Sequence, residues 1–302
     1  MANTTTSVPG NKVLFSPELV AEMFNKVKGH SALAKLCATK PMPFSGIDMF
    51  TFSMDGEAAI VGEGAAKPAG EAAWGKVTIA PIKFVYQHRV TDEFVNLAKE
   101  KQLPYLQAFA DGFAKKIARA LDIAGFHGVN PADGKESSIV GSNCFDKAVT
   151  NTIDFDDTTP PDDTIDAASA VIIAEDGTVS GVAMSPAFGS ALGAMKVLDS
   201  RLPVYPEYRF GGNPGSFAGM AADVNNTVAF GGSNDLAIVG DFVGAFRWGY
   251  ADNIPLEIIP YGDPDGLGDL KHSNQIVLRS EAYIGWGILD AKSFARIVKK
   301  AN

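Results

Sequence analysis

The sequence predicts an α+β fold, because strand-like and helix-like segments mix along its 302 residues without regular alternation. Residues 47–54 (IDMFTFSM) and 76–90 (KVTIAPIKFVYQHRV) carry the alternation and the β-branched and aromatic content of strands. Leu106, Phe109, Phe113, Ile117, Leu121 and Ala124 instead recur at helical spacings of three and four. With 46% hydrophobic and 20% charged residues the chain has ample core-forming material, and its length suits about two domains.

In chain order, residues 1–10 (MANTTTSVPG) are polar, lack the apolar segment of a secretory signal and read as a loose arm. Ser16-Pro17-Glu18 predicts a helix start, with a capping hydroxyl, proline at the first helical position and an acid in the first turn. Leu19, Val20, Met23, Phe24 and Val27 supply its apolar stripe, Gly29 ends it, and residues 30–43 read as a short connector.

Between the two strand-like segments lies DGEAAIVGEGAAKPAGEAAWG, rich in glycine and alanine. The simplest geometry is a long hairpin over residues 47–90, reaching at most roughly 70 Å. A two-stranded ribbon is marginal in water, yet this one carries Ile60, Val61 and Trp74. It folds onto its own domain or lies on another copy of the chain, and the pattern alone leaves both open.

After a helical turn around residues 91–99, Pro104 opens the clearest helix, which Gly125 or Gly128 closes. Residues 130–151 are turn-rich, and residues 153–166 (IDFDDTTPPDDTID) read as an acidic linker between domains. Asp162 or Asp163 can cap a helix over 164–174, residues 182–184 form a short buried strand, and Ser185-Pro186 opens another helix. Residues 211–219 are a glycine-rich loop, and strands are expected at 236–240, 254–259 and 276–288. A terminal amphipathic helix is expected to carry Phe294, Ile297 and Val298.

Little in the sequence points to chemistry. The formal net charge of −9 argues against wrapping nucleic acid through a basic face. The longest uncharged run, 177–195, is broken by Ser185-Pro186 and is not expected to span a membrane. The protein is read as soluble and cytoplasmic where it is made. His30, His88, His127 and His272 show no metal-binding spacing. Cys37 and Cys144 read as small buried residues, and Ser185 lacks a nucleophile-elbow context. Residues 62–67 (GEGAAK) lack a following Ser or Thr, so they read as a hairpin tip and not a phosphate loop. The acidic loop 263–269 (DPDGLGD) is the best cation candidate, but without the closing glutamate of a calcium loop it reads as a solvated turn. No catalytic residue, cofactor site or metal site is expected.

Together these segments resemble a family: the major capsid proteins of tailed bacteriophages, with the Hong Kong 97-type fold. VLFSPELVAEMFNKVKGHSALAKLCATKPM resembles the family's arm, helix and connector, and AAIVGEGAAKPAGEAAWGKVTIAPIKFVYQHRVTDEFV its extended loop and return strand. LPYLQAFADGFAKKIARALDIAGFHG is similar to the spine helix, VAMSPAFGSAL to the axial-domain strand and helix, and FAGMAADV, LAIVGDF and NQIVLRSEAYIGWGILDAKSFARI follow in order.

The resemblance implies an N-terminal arm and helix at 1–40 and an extended hairpin loop at 47–90. It further implies a peripheral domain at 91–150 plus 269–302, and an axial domain at 151–268. It implies a non-enzymatic subunit that pairs with itself in hexamers and pentamers, with separate scaffolding, portal and decoration proteins as further partners. The shell would enclose double-stranded DNA without sequence-specific binding, have no membrane contact, and be assembled in the host cytoplasm into the virion. Ile60, Val61 and Trp74 would anchor the hairpin on a neighbour. Some relatives cross-link Lys to Asn beside a Glu; Lys67, Lys76 and Asn274 do not match that triad, and unlinked polar surface is expected. An encapsulin-like nanocompartment is the alternative reading, and a soluble hydrolase a remote one.

Overall fold

The computed structural model describes residues 30–300 except 56–57, 97–98, 157 and 252–255. The arm at 1–10 and the helix after Ser16 lie outside the described residues. Inside the expected connector stands a short helix, α1 (Ala32–Leu36), with Ala32, Leu33, Ala34 and Leu36 buried. Ser31 caps it by accepting from the Ala34 N–H at 3.0 Å. At five residues it is too short to announce itself by periodicity.

Strands β1 (Ile47–Asp55) and β2 (Glu71–Ile79) pair antiparallel, Ile47 opposite Ile79 and Phe52 opposite Trp74, in a two-stranded sheet of their own. The expected single strand over 76–90 is two, because Pro81 has no N–H to give a ladder. Beyond it β3 (Ile82–Thr91) leaves the hairpin and pairs with a later strand, so the hairpin proper ends at Ile79 instead of residue 90.

A short turn of helix, α2 (Glu93–Asn96), precedes α3 (Lys99–His127), whose 29 residues make a rod of about 43 Å. It starts before Pro104 and not at it, and beyond the proline the buried stripe of Leu106, Ala110, Phe113, Ile117 and Leu121 holds it against the core. Gly128, at φ 67°, closes it in the left-handed region. Gly125 has another use: a Cβ there would meet the Leu33 side chain at 2.6 Å, so the missing side chain lets α1 dock.

The remaining elements are α4 (Phe145–Ala148), β4 (Thr152–Phe155), α5 (Pro161–Ala174), β5 (Gly181–Met184), α6 (Pro186–Ala194), β6 (Ser216–Phe217), β7 (Met220–Val224), β8 (Asp235–Gly240), β9 (Phe246–Tyr250), β10 (Leu256–Ile259), β11 (Gln275–Ile288) and β12 (Phe294–Lys299). β11 pairs with β3, β10 and β9 in one sheet. The other sheet runs β4-β12-β8-β5-β7-β6, mixing parallel and antiparallel pairs. The expected linker at 153–166 is therefore an edge strand and a helix start, with Asp162 and Asp163 inside the first turn of α5 and not capping it.

The terminal segment is a strand where the sequence suggested a helix. Its short apolar run fits either period, and the pairing partners decide: β8 on one side, β4 on the other. It thereby joins the sheet built from 151–268 instead of staying with the long helix. Both faces of this sheet are covered. Val182, Met184, Ala237, Val239, Ala295 and Ile297 face a core under α5 and α6. The alternate residues Ala183, Ile238 and Phe294 face the core under α1, α3 and β11. The indoles of Trp248 and Trp286, buried in that second core, donate to the carbonyls of Cys37 and Asn143 at 2.8 and 3.0 Å.

Phe294 is fully buried and packs edge-on against Phe145 with ring centroids 5.0 Å apart. Phe294→Ala is expected to lower unfolding stability by about 3–5 kcal/mol in a denaturant titration. A loss below about 1 kcal/mol would contradict this placement of the last strand.

Candidate assembly surfaces

Among the described residues, much of the hairpin is left uncovered by its own domain. Phe50, Phe52 and Met54 alternate along β1 and so share one face, and all are exposed. Trp74 adds to that face from β2, its ring tilted against Phe52 with centroids 4.9 Å apart, while remaining 76% exposed. Ile60 and Val61, exposed as well, lie in the tip beyond both strands. The hairpin thus carries Trp74 together with Phe52, apart from the Ile60–Val61 pair. The sequence reading passed over Phe50, Phe52 and Met54, although every second residue of IDMFTFSM already gave them a common side.

By contrast, the body from which the hairpin springs is tied internally by buried polar groups. The Asp122 carboxylate, on α3, has no solvent exposure. It accepts from the Ser31 hydroxyl at 2.5 Å, the Ala32 and Leu33 N–H groups at 2.8 and 3.2 Å, and the Thr227 hydroxyl at 2.9 Å. Burial pushes its pKa up to about 6, with these donors pulling the other way. One turn on, His127 joins Asp146 through Nδ1 and the Thr227 carbonyl through Nε2, each at 2.9 Å.

Behind this histidine Arg296 of β12 lies 2.8 Å from Asp235 and 3.1 Å from Asp146. Desolvation and the adjacent Asp146 raise the Asp235 pKa, while Asp146 is held below the usual range by His127 and Arg296. His127, Asp146 and Asp235 are also the described residues whose ligand atoms approach closely enough to share a cation, and here the Arg296 guanidinium supplies the positive charge. Neither Asp122 nor this cluster follows from sequence spacing, because their members lie far apart along the chain.

The other sequence candidates fall into structural roles. In the acidic loop at 263–269, the Arg89 guanidinium fits between Asp265 and Asp263 and donates to the Gly268 carbonyl at 2.8 Å. That pairing lowers the Asp265 pKa to about 2. Ser185 caps α6 by accepting from the Phe188 N–H. Cys37 and Cys144 are buried free thiols; burial pushes Cys37 up to about 11 and raises Cys144 too, which disfavours the reactive thiolates. Residues 62–67 are exposed at the hairpin tip.

A two-core body bearing an exposed apolar ribbon matches known proteins along nearly its whole length. A sequence profile of the phage capsid family matches residues 11–299. The chain belongs to the phage capsid family. Among solved structures, one from Mycobacterium phage Ogopogo is 32% identical with a TM-score of 0.78, covering 90% of this chain and 92% of that one. One from Gordonia phage Cozz is 24% identical with a TM-score of 0.73, over 89% and 86%. The capsid of a native GTA particle, computed with C5 symmetry, shares the fold at 13% identity and a TM-score of 0.62, over 100% and 96%. No curated protein matches the chain. The fold is the Hong Kong 97-type capsid fold, and the chain is a capsid shell protein of the virion that assembles with copies of itself. It is a structural subunit and not an enzyme.

The buried carboxyls set a pH dependence for this capsid protein. Asp122 and Asp235 have folded pKa values above the unfolded one, so the stability they contribute is full below about pH 4 and is lost as pH rises through the folded values. Asp265 acts oppositely, losing its contribution as pH falls toward about 2. Thermal melts of the subunit are expected to show a falling midpoint between pH 4.5 and 7.5, with up to about 3 kcal/mol from Asp122. Asp122→Asn is expected to flatten that slope, and an unchanged slope would contradict the assignment.

Proposed function

We propose that this subunit builds the hexamers and pentamers of an icosahedral phage head enclosing double-stranded DNA. The net charge of −9 supports a wall that confines DNA without gripping it or reading its sequence. Assembly in the host cytoplasm, with separate scaffolding, portal and decoration proteins as partners, belongs to the same reading. In it the section 151–268, completed by β12, surrounds the five- and six-fold centres. The section 91–150, with β11, carries lateral contacts, and residues 1–40 clasp neighbours.

One observation carries the mechanism: among the described residues β1 and β2 pair only with each other in the sheets, yet expose Phe50, Phe52, Met54 and Trp74 along one side. A two-stranded ribbon with that much apolar surface gains stability when a second copy covers it. Ile60, Val61 and Trp74 are the anchors of this hairpin on its neighbour. Many modest contacts, repeated by symmetry, then make a closed shell stable without any single strong interface.

Negative-stain microscopy beside size-exclusion chromatography tests the reading, with closed shells or five- and six-membered rings as the expected result. Trp74→Ala and the Ile60→Ser, Val61→Ser pair are expected to leave the subunit folded and to weaken shells by about 2 kcal/mol or more per subunit. Shells of unchanged resistance to denaturant would contradict the anchor role.

A further inference from the structure

One hollow on the described surface runs against the acidic balance of the chain. It has a volume of about 500 Å³ and lies where α1, α3 and the loop between β7 and β8 meet. His30, Lys35, Lys115, Arg119, Asn225 and Asn226 stand on its lining, and no carboxylate does. Lys115 and Arg119 are four residues apart on α3, so their side chains rise from one face of the helix, about 6 Å apart along its axis. Like charges so placed repel, and an anion held between them offsets that repulsion. Lys115 is exposed, with no hydrogen-bond or ion-pair partner among the described residues. Other exposed lysines meet acids, as Lys83 meets Glu281 at 2.7 Å and Lys271 meets Asp92 at 3.0 Å.

The donors around this hollow are held in place by the body. Arg119 donates through Nη1 to the Asn226 Oδ1 at 2.7 Å, and its guanidinium lies over the Phe230 ring at 5.3 Å, so it is positioned without a carboxylate. Lys35 reaches in from α1, anchored by the buried Asp223 at 2.5 Å, and its ammonium keeps further N–H groups to give. Asn225 donates to the His30 carbonyl at 3.1 Å and accepts from the Thr227 N–H at 3.2 Å. Thr227 in turn donates to Asp122, so the buried junction sets the loop over α3. Since Asp223 offsets Lys35, the uncompensated charge of the hollow is that of Lys115 and Arg119. Donors converge from three elements, and a tetrahedral anion, with oxygens facing several ways, can accept from all of them. A planar carboxylate presents its two oxygens in one plane and suits a single fork.

We propose that this hollow binds a phosphate group, with Lys115 and Arg119 supplying the charge and Lys35 and Asn226 supplying further hydrogen-bond donors. The phosphates of a nucleic-acid backbone and free inorganic phosphate share that chemistry. That DNA supplies the group rests on the reading above of a shell around DNA, and adds one thing to it. The acidic subunit as a whole repels a duplex, and two cations are too few to wrap one, but the hollow gives a point of sequence-independent contact.

The test compares the full wild-type chain with Lys115→Gln plus Arg119→Gln, and with a charge-matched control, Lys116→Gln plus Lys135→Gln, whose lysines line a different hollow. Inorganic phosphate is the first probe, read as a shift in melting midpoint against chloride at equal ionic strength. A fluorescent DNA duplex of mixed sequence is the second, read by anisotropy across a salt series. Phosphate is expected to raise the midpoint of wild type and control but not of the hollow variant. The hollow variant is also expected to bind the duplex about tenfold more weakly at low salt, its slope of log affinity against log salt shrinking by about 1.8, at about 0.9 per cation. If the phosphate effect is lost and the duplex slope is unchanged, the phosphate site stands and DNA is overturned as its source. Equal losses in both variants, or no binding of either probe by wild type, overturn the site. Hollow-variant shells that are weaker while both probes bind as before also overturn it, because a carboxylate of a second copy would then be the occupant. Should the double variant fail to fold, Lys115→Gln alone decides, with a slope change of about 0.9 expected and none overturning the site. A wild-type chain that forms no shells, even with its scaffold, overturns the shell reading and enclosed DNA as the source together, and the phosphate probe alone then decides the site.

Discussion

The Asp122 carboxylate is withdrawn from water inside a protein that must act as a rigid tile, and that constraint organises the body around it. An ionised carboxylate in such a place is tolerable only when donors surround it. Those donors come from two separate parts of the chain: Ser31, Ala32 and Leu33 before and in α1, and Thr227 in the loop between β7 and β8. Satisfying one side chain on the long helix therefore fixes the amino-terminal segment and the six-stranded sheet against it. His127 repeats the device one turn later, holding Asp146 and the Thr227 carbonyl. Arg296 then brings the last strand into the same junction.

This internal fastening explains how one chain carries two contrasting kinds of surface. The sheet that spans both cores is apolar on each face and is shielded by helices and by the second sheet, so little of it is free to bind. Among the described residues, several of the most exposed apolar side chains stand on projections: the hairpin with Phe50, Phe52 and Trp74, and the turns bearing Leu198 and Phe210. For a capsid subunit this division is physically sensible. In the proposed reading, contacts between copies sit on thin, protruding elements, while the body keeps its shape through buried hydrogen bonds.

How much of this was legible in the sequence differs by length scale. The long helix announced itself through its stripe from Leu106 to Ala124, β8 through its apolar run, and β11 through apolar stretches on either side of Arg279-Ser280-Glu281, because local patterning records which side is buried. The terminal strand did not, since Phe294, Ile297 and Val298 fit a helical stripe and only the vacant flanks of β4 and β8 choose between the two. Short α1 was hidden for the same reason: its burial depends on Gly125 and Asp122, about ninety residues away. The exposed character of the hairpin was suggested by its own sequence, but the common face of Phe50, Phe52 and Met54 required the strand register to be seen as a surface. The polar junction was beyond reach, because no spacing rule connects residues 31, 122, 146, 227, 235 and 296.

The most direct test of a rigid body with a hairpin stabilised by its neighbour is hydrogen exchange on the free subunit and on assembled shells, compared segment by segment. Strands β8 and β12 and the end of α3 are predicted to be protected equally in both states, and β1 and β2 to exchange fast in the free subunit and slowly in the shell. Equal protection of the hairpin in the two states would contradict the account, because the ribbon would then be stabilised by its own chain.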